Sequence, residues 1–160
     1  MQHPPLRTSA FTLVELLVVI AIIGILASMV LAAAGFAQKK GARSRAEAEI
    51  AAIGAALESY KVDNGDYPIN TNVNYNNPTS NSNMVAALMP TNAGGGKVYF
   101  EFKTKSLTNS SYPGSYTDPF GYPYGYNYTN GSVNNGTNNY DLWSTAGGSS
   151  TASNTWIKNW

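Results

Sequence analysis

Apolar residues are concentrated in one run near the N-terminus of this chain. Residues 16–34 carry no charge, and only Gly24 and Ser28 interrupt the apolar side chains. At 1.5 Å per residue, a helix of this length extends about 28 Å, close to the roughly 30 Å hydrocarbon core of a bilayer. A small soluble domain would rarely cover a helix that is apolar on every face. The run therefore predicts a helix that spans a membrane.

After residue 36 the pattern changes to an apolar stripe separated by polar positions. The stripe recurs at spacings of three and four residues, as on one face of a helix, at Ala46, Ile50, Ile53, Leu57 and Tyr60. Gly65 and then Pro68 provide a stop signal, and the chain has no proline between Pro5 and Pro68. We therefore expect one helix from about residue 12 to residue 63, with the stripe packed against a sheet.

The C-terminal part, from Tyr67 to Trp160, has the pattern of loops and short strands. The candidate elements are a helical turn at Met84–Met89 and strands at Lys97–Lys103, Tyr122–Tyr128, Tyr140–Ser144 and Thr155–Trp160. Tyrosine at every second position from 122 to 128 is typical of one strand face, and we expect that face to be half-buried sheet surface rather than a platform for sugars or bases. The pattern predicts an α+β fold.

Composition excludes several classes of function. The chain has no cysteine, one histidine (His3), a charged fraction of 12% and a formal net charge of +1. A disulfide framework, a thiolate metal site and a cysteine nucleophile are therefore excluded, and a Ser-His triad would have to use His3. A net charge near zero argues against a dedicated nucleic-acid binder. We expect no catalytic residues and no enzymatic activity.

Glu15 is the most informative single residue, because it lies at the head of the apolar span. An unpaired carboxylate in lipid costs a few kcal/mol or more. Cleavage between Ala10 and Phe11 would create an ammonium group four residues before Glu15, which is one helical turn. That ammonium, in the same chain or in a neighbouring one, would pair with Glu15 and set the axial register of packed helices.

The stretch FTLVELL at residues 11–17 resembles the N-terminus of type IV pilins and type II secretion pseudopilins. The resemblance implies that prepilin peptidase cleaves between Ala10 and Phe11, that Phe11 becomes N-methylated, and that Glu15 and Phe11 direct filament assembly. Ala10 stands where the family nearly always has glycine, and Ala32 stands where many relatives have proline. The implied fold is type IV pilin-like, with a long N-terminal helix packed on a small antiparallel β-sheet.

Two further motifs resemble the major, G-type pseudopilin of type II secretion. The family pattern DNGxYP is matched by Asp63, Asn64, Gly65, Tyr67 and Pro68. The family pattern DPWGxPY is matched, with Phe120 in place of Trp, by Asp118, Pro119, Gly121, Pro123 and Tyr124. The resemblance implies a structural subunit of a pseudopilus, a helical filament that is assembled for protein export.

The resemblance also implies an organisation, a location and a set of partners. Residues 1–10 would be a cleaved leader, 11–36 a helix for the membrane or the filament core, and 37–160 a periplasmic head. The subunit would cross the inner membrane once and bind its own copies, other pseudopilins, prepilin peptidase and the inner-membrane assembly platform, but no nucleic acid. Family members often hold calcium in the last loop. Residues 145–155 contain no Asp or Glu, so we expect no cofactor and no metal.

Other interpretations stay open at this point. The first alternative is a type IV pilus subunit for adhesion, motility or DNA uptake, and the second is a secreted or anchored binding module with a tyrosine-rich sheet. An A-x-A pattern at residues 32–34 would let signal peptidase cut before Gly35. The basic residues between Lys39 and Arg45 favour a cytosolic C-terminal side by the positive-inside rule, whereas a pseudopilin requires the reverse.

Overall fold

The structure, a computed structural model, describes residues 11–70, 81–90, 96–108, 114–128, 134–136, 138–148 and 153–160. The chain divides into two compact units whose boundary lies between Lys40 and Gly41. One helix, α1, contributes to both units and runs from Leu13 to Asn64. The N-terminal unit consists of the first part of α1 in the described chain, and the second unit contains all other described elements.

The ends of α1 agree with the predicted helix to within one residue. The helix ends where Gly65 adopts a φ of +87°, a left-handed conformation that glycine reaches at little cost. The Gly65 N–H donates to the carbonyl oxygen of Lys61 at 2.7 Å, which satisfies one of the last carbonyls of the helix. A polar glycine turn after a long proline-free segment was therefore sufficient to locate the C-terminal end.

The N-terminal unit has no buried side chain among its described residues. Every residue from Phe11 to Lys40 is exposed, and the most apolar stretch of α1 is not buried at all within the chain. In the described part of the chain, α1 is the one helix that is long and apolar enough to cross a membrane. Its apolar surface can be covered only by something other than this chain's own described residues.

The second unit combines the C-terminal part of α1 with a small sheet. Its described elements are α2 (Ser82–Leu88), a 3-10 turn (Thr104–Ser106), β1 (Gly125–Asn127), β2 (Asp141–Ser144) and β3 (Ile157–Lys158). The strands are antiparallel in the order β1-β2-β3, with Tyr126 opposite Leu142 and Ser144 opposite Ile157. The predicted α+β fold, a long helix with a small antiparallel sheet, is confirmed.

The core lies between the helix stripe and the inner face of the sheet. Ala46, Ile50, Ile53 and Leu57 are buried as predicted, and they share one hydrophobic cluster with the sheet residues Tyr126 and Leu142. The fifth predicted position, Tyr60, is half-buried and packs edge-to-face on Tyr99, with ring centroids 5.3 Å apart. The period of the sequence pattern thus identified the buried face of the helix.

The outer face of the sheet is covered as well, which corrects the expectation of a half-buried sheet. The Trp143 ring stacks on Trp156 with centroids 6.3 Å apart and meets Trp160 edge-on at 6.0 Å. Gly125, opposite Trp143 in the register, lies beneath that ring, and a Cβ at Gly125 would come within 2.0 Å of it. β1 and β2 are therefore buried on both faces, because aromatic residues near the C-terminus form a second layer over them.

The tyrosine row lies largely in the core. The side chains of Tyr124, Tyr126 and Tyr128 are buried, whereas 49% of Tyr122 is exposed. The predicted strand Tyr122–Tyr128 shortens to β1, because the Tyr124 N–H donates to Tyr116 rather than to the sheet. The expected preference for sheet packing over ligand stacking agrees with this burial.

Other strand predictions were accurate to different degrees. Tyr140–Ser144 and Thr155–Trp160 contain β2 and β3, and the helical turn at Met84–Met89 is confirmed by α2. The strand predicted at Lys97–Lys103 is wrong. The N–H groups of Tyr99 and Phe100 both donate to the carbonyl of Leu88, at 2.8 and 3.2 Å, so this backbone binds the end of α2. The alternating pattern at residues 97–103 arises because Phe100 and Phe102 pack toward the core, although the segment forms no strand.

Candidate functional site

The N-terminal candidate site consists of Phe11, Thr12 and Glu15 at the start of α1. Phe11 is 77% exposed. One carboxylate oxygen of Glu15, Oε2, accepts hydrogen bonds from the backbone N–H and the hydroxyl of Thr12, each at 2.8 Å. In return, the Glu15 N–H donates to the Thr12 hydroxyl at 3.3 Å. This reciprocal arrangement is a capping box, in which the first residues of a helix satisfy each other's free polar groups.

Thr12 belongs to this site through its hydrogen bonds to Glu15, but it was not among the residues predicted from the sequence. The signal was present, because a T-x-x-E spacing before an apolar run is the pattern of a capping box. The structure brings Phe11 and Glu15 to the same end of the helix. Ala10, the other residue of the predicted cleavage site, lies outside the described residues. The pairing of Glu15 with a free amine stays a prediction.

The DNGDYP motif forms the connection between α1 and the rest of the second unit. Asp63 Oδ2 accepts hydrogen bonds from Lys97 Nζ at 2.6 Å and from the Tyr99 hydroxyl at 3.0 Å. Both hydrogen bonds lower the pKa of Asp63, and the bond from Lys97 has the larger effect. Asn64 caps the helix by donating to the Tyr60 carbonyl at 2.9 Å. Asp63 therefore holds the segment after Gly96 against the end of the helix.

The second half of the same motif enters the aromatic core. The Tyr67 hydroxyl donates to Glu58 Oε1 at 2.8 Å, and burial together with that carboxylate raises the pKa of Tyr67. The Tyr67 ring contacts Tyr128 and Tyr140 edge-on, with centroids 5.2 and 4.9 Å away. The Pro68 carbonyl accepts from the Tyr126 hydroxyl at 2.8 Å. The motif is thus a connector between the helix and β1.

The DPFGYP motif forms a tight turn organised by one buried carboxylate. Asp118 Oδ1 accepts from the backbone N–H groups of Phe120 and Tyr122, both at 2.9 Å. Gly121 occupies the turn position that requires a left-handed φ, here +87°. Pro119 precedes this glycine, and Pro123 leaves the turn through a bridge to Thr117. The motif residues therefore set the geometry of the turn.

Asp118 also holds the loop that follows β2. Its second oxygen, Oδ2, accepts the Ser144 hydroxyl at 2.5 Å, and the same hydroxyl oxygen accepts the N–H of Ala146 at 3.0 Å. The other acid in this part of the chain, Asp141, accepts the N–H groups of Asn134 and Asn135 at 3.3 and 3.1 Å. Both carboxylates are buried and engaged by the protein's own donors.

The predicted site residues therefore fall into three separate structural groups rather than one reactive centre. Among the residues that the structure describes, no group of three or more His, Cys, Asp or Glu side chains is placed to hold a metal ion. The N-terminal group presents a carboxylate at the end of an uncovered apolar helix. The other two groups brace the second unit, and their chemistry is that of caps, turns and buried hydrogen bonds.

Comparisons with known proteins find similarity to parts of this chain. Residues 6–31 match the family model described as the prokaryotic N-terminal methylation motif. Proteins named type II secretion system core protein G from Aeromonas hydrophila and Escherichia coli (strain K12) are each 45% identical over 62 residues, and that of Pseudomonas aeruginosa is 42% identical over 62 residues. No solved structure matches the chain.

These matches cover part of each protein. The 62 matched residues are 39% of this chain and 43%, 43% and 44% of the three relatives, so the chain spans less than half the length of the curated relatives it matches. The methylation motif contains Phe11, Glu15 and most of the apolar span. Together, the motif and the relatives show that the chain carries the prokaryotic N-terminal methylation motif and that 39% of its length is similar to proteins named type II secretion system core protein G.

Proposed function

We propose that this protein is a structural subunit of a type II secretion pseudopilus. The observation that supports this most strongly is a wholly exposed apolar helix headed by Glu15, within a match to the N-terminal methylation motif. Prepilin peptidase would cleave between Ala10 and Phe11, and Phe11 would then be N-methylated. Other enzymes carry out both reactions, and this chain has no enzymatic role.

The apolar span has two successive environments in this proposal. Before assembly it lies in the inner membrane, with the head in the periplasm. During assembly the spans of many copies, and of other pseudopilins, pack together after extraction by the inner-membrane assembly platform. Apolar packing supplies most of the association, because the span exposes bulky side chains on all faces.

Glu15 has a partner in each environment. In the single chain its carboxylate accepts two hydrogen bonds from Thr12, which reduces the cost of placing it at the membrane. In the filament it would exchange at least one of these bonds for the methylated ammonium of Phe11 in a neighbouring copy. The gain depends on axial register, since a charge pair in a low dielectric weakens steeply with distance.

We propose that the chain consists of a leader (1–10), a filament-core helix (11–36) and a head (37–160). We further propose that the head folds without a bound metal. Asp118 and Asp141 are the acids nearest the last loop, and hydrogen bonds from the protein occupy both carboxylates. We expect the melting temperature of the protein to be the same in excess calcium and in excess chelator. A rise of several degrees with calcium would contradict a metal-free head.

The experiment that tests the proposed function is the intact mass and N-terminal sequence of the protein from its native membrane. A chain that begins at Phe11 and carries one additional methyl group would support pilin-type processing. A chain that begins at Gly35 would refute the filament subunit, because the span and Glu15 would be lost. A chain that retains residues 1–10 would refute processing by prepilin peptidase.

A second measurement separates a pseudopilus from a type IV pilus. Deleting the gene should abolish export of proteins across the outer membrane and leave surface adhesion and motility unchanged. Loss of long surface fibres with normal export would assign the subunit to a pilus instead. Carbohydrate binding by the protein would favour a binding module, although the buried rings of Tyr124 and Tyr126 argue against a stacking surface there.

A further inference from the structure

Three residues just beyond the apolar span share one face of α1. Phe36, Lys39 and Lys40 are spaced by three and four residues, so their side chains are neighbours on a helix. All three are exposed, with 72% of the Phe36 surface accessible. An aromatic ring followed by two ammonium groups on the same face is the order of side chains that suits a membrane–water interface.

The two lysines have no acidic partner of their own. Within the described residues neither Lys39 nor Lys40 forms a hydrogen bond or an ion pair, and the sequence has no Asp or Glu between Glu15 and Glu47. The next basic residue, Arg43, differs because it pairs with Glu47 at 3.2 Å and donates to the Thr155 carbonyl at 2.9 Å. The positive charge of the lysine pair is therefore uncompensated within the described chain.

The position of the lysines relative to the span corresponds to the depth of lipid headgroups. Lys39 lies five residues beyond Ala34, the last residue of the uncharged run, which is about 7.5 Å along a helix axis. The polar layer on each side of a bilayer is about 5–8 Å thick. Phe36 would lie at the boundary between acyl chains and headgroups, and the two ammonium groups would lie among the phosphates.

We propose that Phe36, Lys39 and Lys40 form a binding site for the headgroup of an anionic phospholipid. The phosphate of a lipid such as phosphatidylglycerol accepts hydrogen bonds from both ammonium groups, and Phe36 packs against the start of its acyl chains. This proposal rests on one part of the proposed function, namely that the apolar span is inserted in the membrane. It does not depend on whether the assembled filament is a pseudopilus or a pilus. It would hold the end of the span in its leaflet, so the bound lipid must be released when the subunit is extracted.

The test measures lipid binding by the full chain in nonionic detergent micelles. Phosphatidylglycerol and phosphatidylcholine with the same fluorescent acyl chain are titrated at low salt, and binding is followed by fluorescence anisotropy. The test variant is Lys39→Gln/Lys40→Gln, and Lys105→Gln/Lys158→Gln is a control with the same change in charge. Circular dichroism verifies that each variant retains the fold.

The wild-type chain should prefer phosphatidylglycerol, and the Lys39→Gln/Lys40→Gln variant should bind it about 25-fold more weakly, at roughly fivefold per lysine. The control variant should change this affinity by about twofold or less, because its charges lie far from the interface in sequence. Phe36→Ala should weaken binding of both lipids equally.

An unchanged preference for phosphatidylglycerol in the Lys39→Gln/Lys40→Gln variant would overturn the proposal. If that variant keeps its affinity for phosphatidylglycerol and loses only chemical cross-links between copies, the lysines pair with carboxylates of a second chain. The proposed lipid site would then be wrong. Because the assay contains no secretion system, failure of filament assembly would refute the proposed function without affecting this result.

Discussion

The two parts of α1 belong to one helix but depend on different surroundings. From Leu13 to Lys40 every side chain is exposed, whereas the part after Gly41 buries a stripe of residues in the core of the second unit. Apolar side chains therefore stand in two different surroundings. In the first part the described chain leaves them exposed, and in the second part they pack in the core and stabilise this chain.

The comparison shows what burial within a single chain can reveal. A buried residue such as Leu57 contributes to folding, and its substitution will be visible in the stability of the isolated protein. An exposed apolar residue such as Leu26 contributes only when an external surface covers it. Assembly and folding should accordingly be separable by mutation, and four predictions test that separation, beginning with the largest effect.

Glu15→Ala should eliminate detectable filaments and leave the melting temperature of the protein unchanged. The carboxylate makes hydrogen bonds only with Thr12 among the described residues, so its removal leaves the core of the second unit intact. Filaments are measured by shearing cells and immunoblotting, and stability by thermal unfolding in detergent. Glu101→Ala, which removes an exposed carboxylate of the second unit, serves as the control. Normal filaments from the Glu15→Ala variant would contradict the assembly role.

Leu57→Ala should destabilise the protein by about 2–5 kcal/mol, because it removes a fully buried side chain and leaves a cavity. The matched variant Leu26→Ala removes the same atoms from a residue that is 57% exposed, and it should change the free energy of unfolding by about 0.5 kcal/mol or less. Both values come from denaturant unfolding in detergent. Equal effects would show that the two parts of α1 do not differ as described.

Gly125→Ala should destabilise the protein by about 1–3 kcal/mol, because the new Cβ would lie 2.0 Å from the buried Trp143 ring. In the other unit, Gly24→Ala meets no atom of the chain within 4 Å and should favour the helix by about 1 kcal/mol. Thermal unfolding monitored by near-ultraviolet circular dichroism reports on the tryptophan cluster. A neutral Gly125→Ala would indicate that the outer aromatic layer is displaced at little cost.

Asp63 should give the second unit a small dependence of stability on acid pH. Hydrogen bonds from Lys97 and Tyr99 lower the pKa of Asp63, so the native state binds a proton less readily than the unfolded chain. The contribution is present above the unfolded pKa of about 4 and is lost as pH falls through the lower native pKa. Asp63→Asn should flatten the acid side of a stability–pH curve. An identical curve would show that the Lys97 contact contributes nothing.

Much of the fold could be predicted because it depends on local pattern. The period of the apolar positions from Ala46 to Leu57, the glycine at position 65 and the absence of internal proline were sufficient to define α1 and its buried face. Strand extents were less accurate. Tyr122–Tyr128 shortens to three paired residues, and Lys97–Lys103 pairs with the end of α2, because strand formation depends on a partner that lies far away in sequence.

The candidate site divides in the same way. Glu15 was singled out because a carboxylate before an uncharged run is costly wherever the chain folds, and Phe11 because of the resemblance of residues 11–17 to the pilin N-terminus; both roles stay predictions. The contact between Asp118 and Ser144 was not predicted. It joins residues 26 positions apart, and no local spacing indicates it.

The sequence by itself determined the long helix, its exposed apolar half, the position of Glu15 and the N-terminal methylation motif, because each of these depends on residue order within a few helical turns. The tertiary structure alone decided that β1 and β2 are covered on both faces, that Trp143 requires a glycine at position 125, and that Asp118 and Asp141 are occupied by the protein's own donors. These features arise from contacts between distant segments, and their energies depend on close packing and hydrogen-bond geometry that no linear pattern encodes.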